Sequence, residues 1–405
     1  MSDFEDSESD LSVDDSVDEK QCVEDDDDDD VIDGEDDPPS VDKSIFPEWS
    51  WDHVRPWVAI RRTDAYSDEQ IRALAAQDVV MLEKTNGVAT FGSVEEGSLQ
   101  AARRIKEVNP KCKILFYHNT MVHYTGRNFR YSGYKGFNKE WLMINPKTNK
   151  PHMWNGGKHA SYDHTNLEFR EWWIQRALDM VAHDEIDGIF IDAIVKAVLT
   201  NLPVKNHDKA YFATATELRE RFPEGKLLIG NALRVGRTSD GNLKHLKYLD
   251  GSYLENWQSP KPWQMKKTLE LMSTALKQGR MIMLTAEPNH HDEGELNRLT
   301  SLDDRYKYVG RPRFIGFTLG FFLLIVEPNA YFSYRTGVDA RPKVKCVFDN
   351  TRFEAITRKL GKPAGEMVQE GGHVFSREFE YLKVRVNLVT MEGVLTVKDD
   401  KGEEL

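Results

Sequence analysis

Two short phrases concentrate the reactive chemistry of this chain. Asp187-Gly188-Ile189-Phe190-Ile191-Asp192-Ala193 and Asp250-Gly251-Ser252-Tyr253-Leu254-Glu255-Asn256-Trp257 share one plan: an acid, a Gly, a short apolar run and a closing carboxylate. A parallel strand buried on both faces reads this way when its last side chain turns into a cleft. Two carboxylates on separate strands are the minimum for cleaving an acetal. One stabilises an oxocarbenium-like centre and the other protonates the departing oxygen. Asp192 and Glu255 are the candidate pair. Asp192 ends the more apolar run and precedes the small Ala193, which suits a nucleophile. Glu255 is longer and lies between Tyr253 and Trp257, an apolar setting expected to raise its pKa toward that of a general acid. For each, a structural role competes: a carboxylate that caps a helix or pairs with Arg.

The ends of the other apolar runs supply a ring of polar side chains, namely Asp64, Glu83, His118 with Asn119, Asn231, Glu287 and Glu327. Asp64 and Asn231 suit hydrogen bonds to sugar hydroxyls. The substrate-binding set expected from this ring and its neighbours is Asp64, His118, Asn119, Asp163, Asn231, Trp257, Glu287 and Tyr331. Pro follows Glu287 and Glu327, which makes them weaker candidates as acids. Asp163 sits just ahead of a helix, so N-capping competes with substrate binding. The loop from Asn119 to about Thr165 is rich in rings, including Tyr124, Tyr131, Tyr134, Trp141, Trp154 and His159. It fits a sugar-stacking floor and a hydrophobic mini-core equally well.

These residues need a scaffold, and the chain supplies an alternation of strands and helices from Trp57 onward. Strands are expected at 57–61, 78–82, 113–117, 188–191, 226–229, 252–254, 281–285 and 330–334. Ser67-Asp68-Glu69-Gln70 reads as a capping box. One helix is expected over 303–325 and a closing helix over 350–360. Eight strands in about 290 residues point to an α/β protein with a (β/α)8 TIM barrel. A doubly wound sheet competes, but the Gly-rich phosphate turn after its first strand is missing. Strands at 374–380, 383–388 and 393–397 read as a short C-terminal β-segment. The expected organisation is an acidic tail over 1–44, a barrel over 45–365 and the β-segment over 366–405.

The net charge of −13 belongs to the tail. Residues 1–44 hold 21 Asp/Glu against Lys20 and Lys43, and the rest of the chain is net positive by six. Such a segment has little apolar surface to offset its ordering entropy, so it is expected to be disordered and solubilising. Three cysteines without a CxxC argue against a disulfide framework or a zinc site. The histidines lack metal-ligand spacing, and no P-loop or GxSxG elbow is present, so neither metal nor cofactor is expected. No Lys/Arg stripe interleaves with aromatics, which argues against nucleic acid. The longest apolar stretch, 316–326, is too short to span a bilayer. The acidic N-terminus is unlike a secretory leader, so the expected location is cytoplasmic, with release by lysis or a non-classical route left open.

Taken together, Asp163-His164-Thr165-Asn166 before Glu171-Trp172-Trp173, then Asp187 to Asp192, Asn231 and Glu255, resemble the hypothetical glycosyl hydrolase family 15. Asn329 to Tyr334, Leu360-Gly361-Lys362-Pro363 and Ser376-Arg377-Glu378-Phe379 add to the resemblance, which covers about residues 56–397. It implies a TIM-barrel glycoside hydrolase acting on carbohydrate. Similarity to α-galactosidase-like barrels implies an Asp nucleophile after the fourth strand and a carboxylate acid/base after the sixth, which are Asp192 and Glu255. The chain is thus expected to be an O-glycosyl hydrolase, retaining chemistry being what that similarity implies. The alternative is a carbohydrate-binding barrel that has lost turnover.

Overall fold

Eight apolar runs pair as one parallel sheet: β1 (Trp57–Ile60), β2 (Val79–Leu82), β3 (Lys113–Asn119), β4 (Gly188–Asp192), β5 (Leu227–Gly230), β6 (Gly251–Leu254), β7 (Met281–Ala286) and β8 (Ala330–Tyr334). The computed structural model describes residues 41–154, 157–195, 202–235, 240–341, 345–399 and 401–404. The strands lie in chain order, and the two edges meet. Phe332 N donates to Arg55 O, and parallel bridges join Pro56 to Phe332 and Arg61 to Asp339. The sheet is therefore a barrel, as the alternation of elements implied.

Side-chain parity sorts each strand into two layers. Val58, Ile60, Ile114, Phe116, Ile189 and Ile191 pack outward beneath the helices, whereas Trp57, Ala59, Leu115, Tyr117 and Phe190 fill the interior. The shared Asp-Gly openings have a structural cause. A Cβ on Gly188 would lie 2.7 Å from Leu227 Cβ, and one on Gly251 would lie 2.6 Å from Met281 Cβ. The two openings bring neighbouring strands too close for any side chain. Asp187 accepts from Ile114 N at 2.8 Å and Asp250 from Leu228 N at 2.7 Å, so each satisfies a buried amide beside the start of the preceding strand.

The longer helices are α1 (Asp68–Ala75), α2 (Val94–Val108), α3 (Leu167–Val181), α4 (His207–Arg221), α5 (Pro262–Lys277), α6 (Leu302–Val309) and α7 (Pro312–Leu323). The capping box at Ser67 and Gln70 is formed as expected. The single helix expected over 303–325 is two. Arg311, with φ −61° and ψ 141°, is extended, and Pro312 opens the second helix. A residue before Pro is driven out of the helical region, while Pro itself fits a first helical position. The expected closing helix shrinks to a 3-10 turn at Asn350–Arg352 and a short helix at Glu354–Thr357.

The C-terminal segment is a four-stranded antiparallel meander of β9 (Val368–Gly371), β10 (Val374–Glu378), β11 (Leu382–Asn387) and β12 (Glu392–Val397). It packs on α7 through backbone contact, because a Cβ on Gly316 would sit 2.6 Å from Gly393 O. Among the described residues no helix is long and apolar enough to cross a membrane.

Most of the expected disordered tail lies outside the described residues. Its last residues are built into the fold: Asp42 caps a 3-10 turn at Lys43–Ile45, and Val41 and Ile45 pack against the barrel interior. Phe46 is buried there, and Pro47 O accepts from Tyr331 Oη at 3.3 Å. A segment so acidic and so poor in apolar residues adds nothing to a core, so deleting residues 1–40 is expected to leave the thermal midpoint unchanged. Deleting 1–46 is expected to lower stability by about 3 kcal/mol or more, the usual loss for a buried Phe. Calorimetry on both truncations checks this, and equal midpoints would exclude the role assigned to Phe46.

Candidate active site

At the C-terminal end of the barrel, parity turns Tyr117 and Asn119 of β3 inward together with Asp192, the last residue of β4. Tyr117 Oη donates to Asp192 Oδ2 at 2.5 Å and Asn119 Nδ2 to the same oxygen at 3.1 Å. Ala193 N and Asn231 Nδ2 donate to Oδ1 at 2.8 and 3.3 Å. Four donors thus fix one carboxylate. Glu255, one residue past β6, is held by Asn231 Nδ2 at 2.8 Å, Arg234 Nη2 at 2.7 Å and Tyr253 Oη at 3.1 Å. Asn231 is the bridge, since its one amide nitrogen contacts both acids. Its Oδ1 is buried without a hydrogen-bond partner among the described residues.

The electrostatics run opposite to the sequence-level expectation. Burial pushes the Asp192 carboxyl above the usual range, opposed by Lys84 and reinforced by the nearby Glu255. Burial also acts on Glu255, but the Arg234 guanidinium, the hydrogen bonds from Asn231 and Arg234, and Arg335 outweigh it and hold the group low. The apolar setting expected to raise Glu255 is absent, because Arg234 reaches the carboxylate and Trp257 turns away.

Backbone strain marks the same places. Thr85, Ala193 and Asn256 have φ of 80°, 63° and 51°. Each follows directly on an acidic or basic group of this cluster, Lys84, Asp192 and Glu255 respectively. Non-glycine residues in this region cost about 1–3 kcal/mol each and persist where surrounding structure over-determines them. For Ala193 that support is visible: Tyr211 Oη bonds Ala193 O and Thr120 Oγ1, and Thr120 Oγ1 also bonds Asp192 O at 3.0 Å.

Of the expected site residues, Asn119, Asp192, Asn231 and Glu255 come together. Others do not. His118 lies one residue from Asn119 and so faces outward, stacked on Trp173 with Nε2 on Trp173 O at 3.2 Å. Burial lowers its pKa to about 4. Trp257 stacks on Phe321 of α7 and donates to Thr285 O at 2.7 Å. Tyr331 sits near the start of β8, at the opposite end of the barrel, against Trp49 and Pro47. Asp163 organises the turn before α3 by accepting from Thr165 N and Oγ1, while Asn166 is the actual cap. Asp64 is exposed in the loop after β1 and makes no hydrogen bond to the pair among the described residues. Glu287 is exposed at the end of β7, within electrostatic reach of Arg335. Glu327 pairs with Arg377 beneath the barrel.

The aromatic loop divides. Tyr134, Phe137, Trp141 and Tyr162 pack with Trp172 of α3 as a mini-core. Phe129 and Trp154 instead lean on the barrel interior cluster. Basic residues were missed altogether. Lys84, Arg234 and Arg335 join the site one to four residues beyond strand ends, and Arg335 Nη2 reaches Tyr253 Oη at 3.3 Å. Their position past an apolar run was the available signal. Among the described residues no group of three or more His, Cys, Asp or Glu could hold a metal ion.

The model of hypothetical glycosyl hydrolase family 15 matches residues 106–383. The chain belongs to that family. The match to hypothetical glycosyl hydrolase family 15 contains Asn119, Asp192, Asn231 and Glu255 and excludes β1 and β2. Solved structures that are similar include a noncanonic maltogenic α-amylase from Thermotoga neapolitana, 10% identical over 85% of this chain and 88% of that one, with a TM-score of 0.48. The GH36 α-galactosidase from Geobacillus stearothermophilus is 12% identical over 82% and 47%, with a TM-score of 0.45. The α-galactosidase from Lactobacillus brevis is 13% identical over 82% and 46%, at 0.46. The chain spans about half the length of these two galactosidases. No curated protein matches it.

Proposed function

We propose that the chain is a retaining O-glycosidase of oligo- or polysaccharides, with Asp192 as nucleophile and Glu255 as acid/base. The observation that carries this reading is the Asn231 bridge. A nitrogen 3.3 Å from one carboxylate and 2.8 Å from the other keeps the facing oxygens within about 6 Å, which supports the shorter separation of retaining pairs, about 5–5.5 Å, over the wider one of about 6.5–9.5 Å that admits a water. Asp192 attacks the anomeric carbon as the glycosidic C–O bond breaks and Glu255 gives its proton to the leaving oxygen. Glu255 then takes a proton from water, which displaces Asp192 from the sugar. The four donors on Asp192 orient the attacking anion, and the unpartnered Asn231 Oδ1 is placed to accept from a sugar hydroxyl. The incoming sugar must loosen Arg234 from Glu255 before that carboxyl can carry a proton. The low position of Glu255 in the free site favours a second reading with the two roles exchanged.

A panel of activated aryl glycosides, with anomers resolved by proton NMR, tests the assignment. The first-formed product is expected to keep its anomeric configuration. Azide added to Glu255→Ala is expected to give a glycosyl azide of retained configuration, and azide added to Asp192→Ala an inverted one. The opposite pattern exchanges the roles. An inverted product from the unmodified protein replaces the nucleophile by a base, and binding without hydrolysis would establish a carbohydrate-binding barrel instead.

A further inference from the structure

The turn Glu83-Lys84-Thr85-Asn86-Gly87 follows β2 and lies outside the family match. It is rigidly built. Asn86 is fully buried, donates to Glu83 O and accepts from Arg62 N at 3.2 Å and Tyr66 Oη at 2.5 Å. The left-handed Thr85 completes the turn. This places the Lys84 side chain, only 8% exposed, with Nζ 3.1 Å from Glu83 Oε2 and 4.8 and 5.7 Å from the ring centroids of Tyr117 and Tyr124. Tyr117 is the residue whose hydroxyl donates to Asp192. A buried ion pair adds little stability over apolar packing, so stability alone is a poor reason for this one.

We propose that Lys84 is a positioning residue of the hydrolytic site, a resident cation seated by Glu83 on Tyr117 and Tyr124 that keeps Asp192 in the anionic form that attacks the sugar. The inference rests on the two-carboxylate reading above. Burial and the charge of Glu255 both oppose ionisation of Asp192, and Lys84 is the strongest influence favouring it. Also facing Asp192 are Tyr117 and Asn119 from β3, Glu83 from the turn itself, Tyr124 from the loop after β3, Tyr211 from α4 and Asn231 after β5. Glu83 repels Asp192 but acts on it more weakly than Lys84 does, and it is the Lys84 ammonium that lies over the ring of Tyr117, the donor to Asp192. Burial works against the charge of Lys84, and Glu83 with Tyr124 and Asp192 outweighs it, so the ammonium stays charged despite Arg61. When water releases the sugar, Asp192 departs as the anion, and the same cation favours that step.

Lys84→Met and Lys84→Arg are compared with the unmodified protein on the fastest aryl glycoside of the panel. The Asp192 carboxyl is titrated in each free protein by 13C NMR. Lys84→Met is expected to lose about a hundredfold in kcat with KM within about threefold, and to shift the acid limb of kcat/KM to higher pH by about one unit. The Asp192 titration is expected to move the same way, and Lys84→Arg to restore both. An unchanged Asp192 titration in Lys84→Met overturns the proposal, as does a loss confined to KM. The NMR titration needs no turnover. Full activity of Asp192→Asn would therefore sink the two-carboxylate reading separately, while the titration still decides whether Lys84 controls Asp192.

Discussion

Asp192→Asn and Glu255→Gln are each expected to lower kcat by at least about a thousandfold, on the order of 4 kcal/mol of transition-state stabilisation, with the fold retained. The geometry explains why the two effects separate. Asp192 accepts from Tyr117, Asn119, Ala193 and Asn231. An asparagine keeps its oxygen toward Ala193 N and Asn231, and Tyr117 can rotate its hydroxyl to accept from the new amide. Asn119 Nδ2, which then faces a second donor, loses its bond to residue 192 but keeps the one to Tyr117 Oη at 3.0 Å. The change also removes a buried charge and its repulsion with Glu255, so the thermal midpoint is expected to hold or rise. Glu255→Gln keeps a carbonyl for Arg234 but loses the ion pair, so a modest fall in midpoint is expected there. Rates on the panel and midpoints by calorimetry check both variants. Full activity in either one removes that residue from the mechanism. A collapsed midpoint with proportionate loss of folded protein would instead make it a structural carboxylate.

How much of this was legible depended on what each residue answers to. Runs buried on both faces announce barrel strands, and the eight were placed to within a residue or two. The short strand β9 was missed because all four of its residues are exposed and carry no alternation. Gly310-Arg311-Pro312-Arg313 split what the apolar residues on either side, ending at Val309 and resuming at Phe314, make look like one helix. At the site, Asn119, Asp192, Asn231 and Glu255 were readable as polar ends of apolar runs. His118 failed by parity, since a one-residue step crosses from the interior to the helix layer. Tyr331 failed by polarity, being at the wrong end of its strand, and Trp257 because the chain turns after Glu255. The cations carried only a weak signal, their place just past an apolar run. Only tertiary structure shows that Arg234 bends back to the Glu255 carboxylate and that Lys84 lies over Tyr117, and it is the burial of Asp192 together with the Arg234 contact that reverses the expected order of the two acids.

Arg234 provides the second test of that order. Its pair with Glu255, 2.7 Å long with side chains 18% and 25% exposed, is largely removed from water. Arg234→Met leaves the Glu255 carboxylate with Asn231, Tyr253 and the more distant Arg335 but without its strongest opposing charge, so burial should carry its pKa upward. The sign of the stability effect follows. In the unmodified protein Glu255 is held low, so the stability it contributes is present above its unfolded pKa and is lost as pH falls through the folded value. In Arg234→Met the group is raised, so the variant is weakest at neutral pH, by about 3 kcal/mol, the usual loss on breaking a buried pair. The gap is expected to narrow toward acid, because the variant takes up the Glu255 proton at a higher pH than the unmodified protein does. Denaturant unfolding at pH 4 and pH 7 measures it. The same substitution should move the basic limb of the pH–rate profile upward, because a carboxyl that retains its proton longer serves as an acid over a wider range. Equal destabilisation at both pH values, with an unmoved basic limb, would mean that Arg234 does not control the protonation of Glu255.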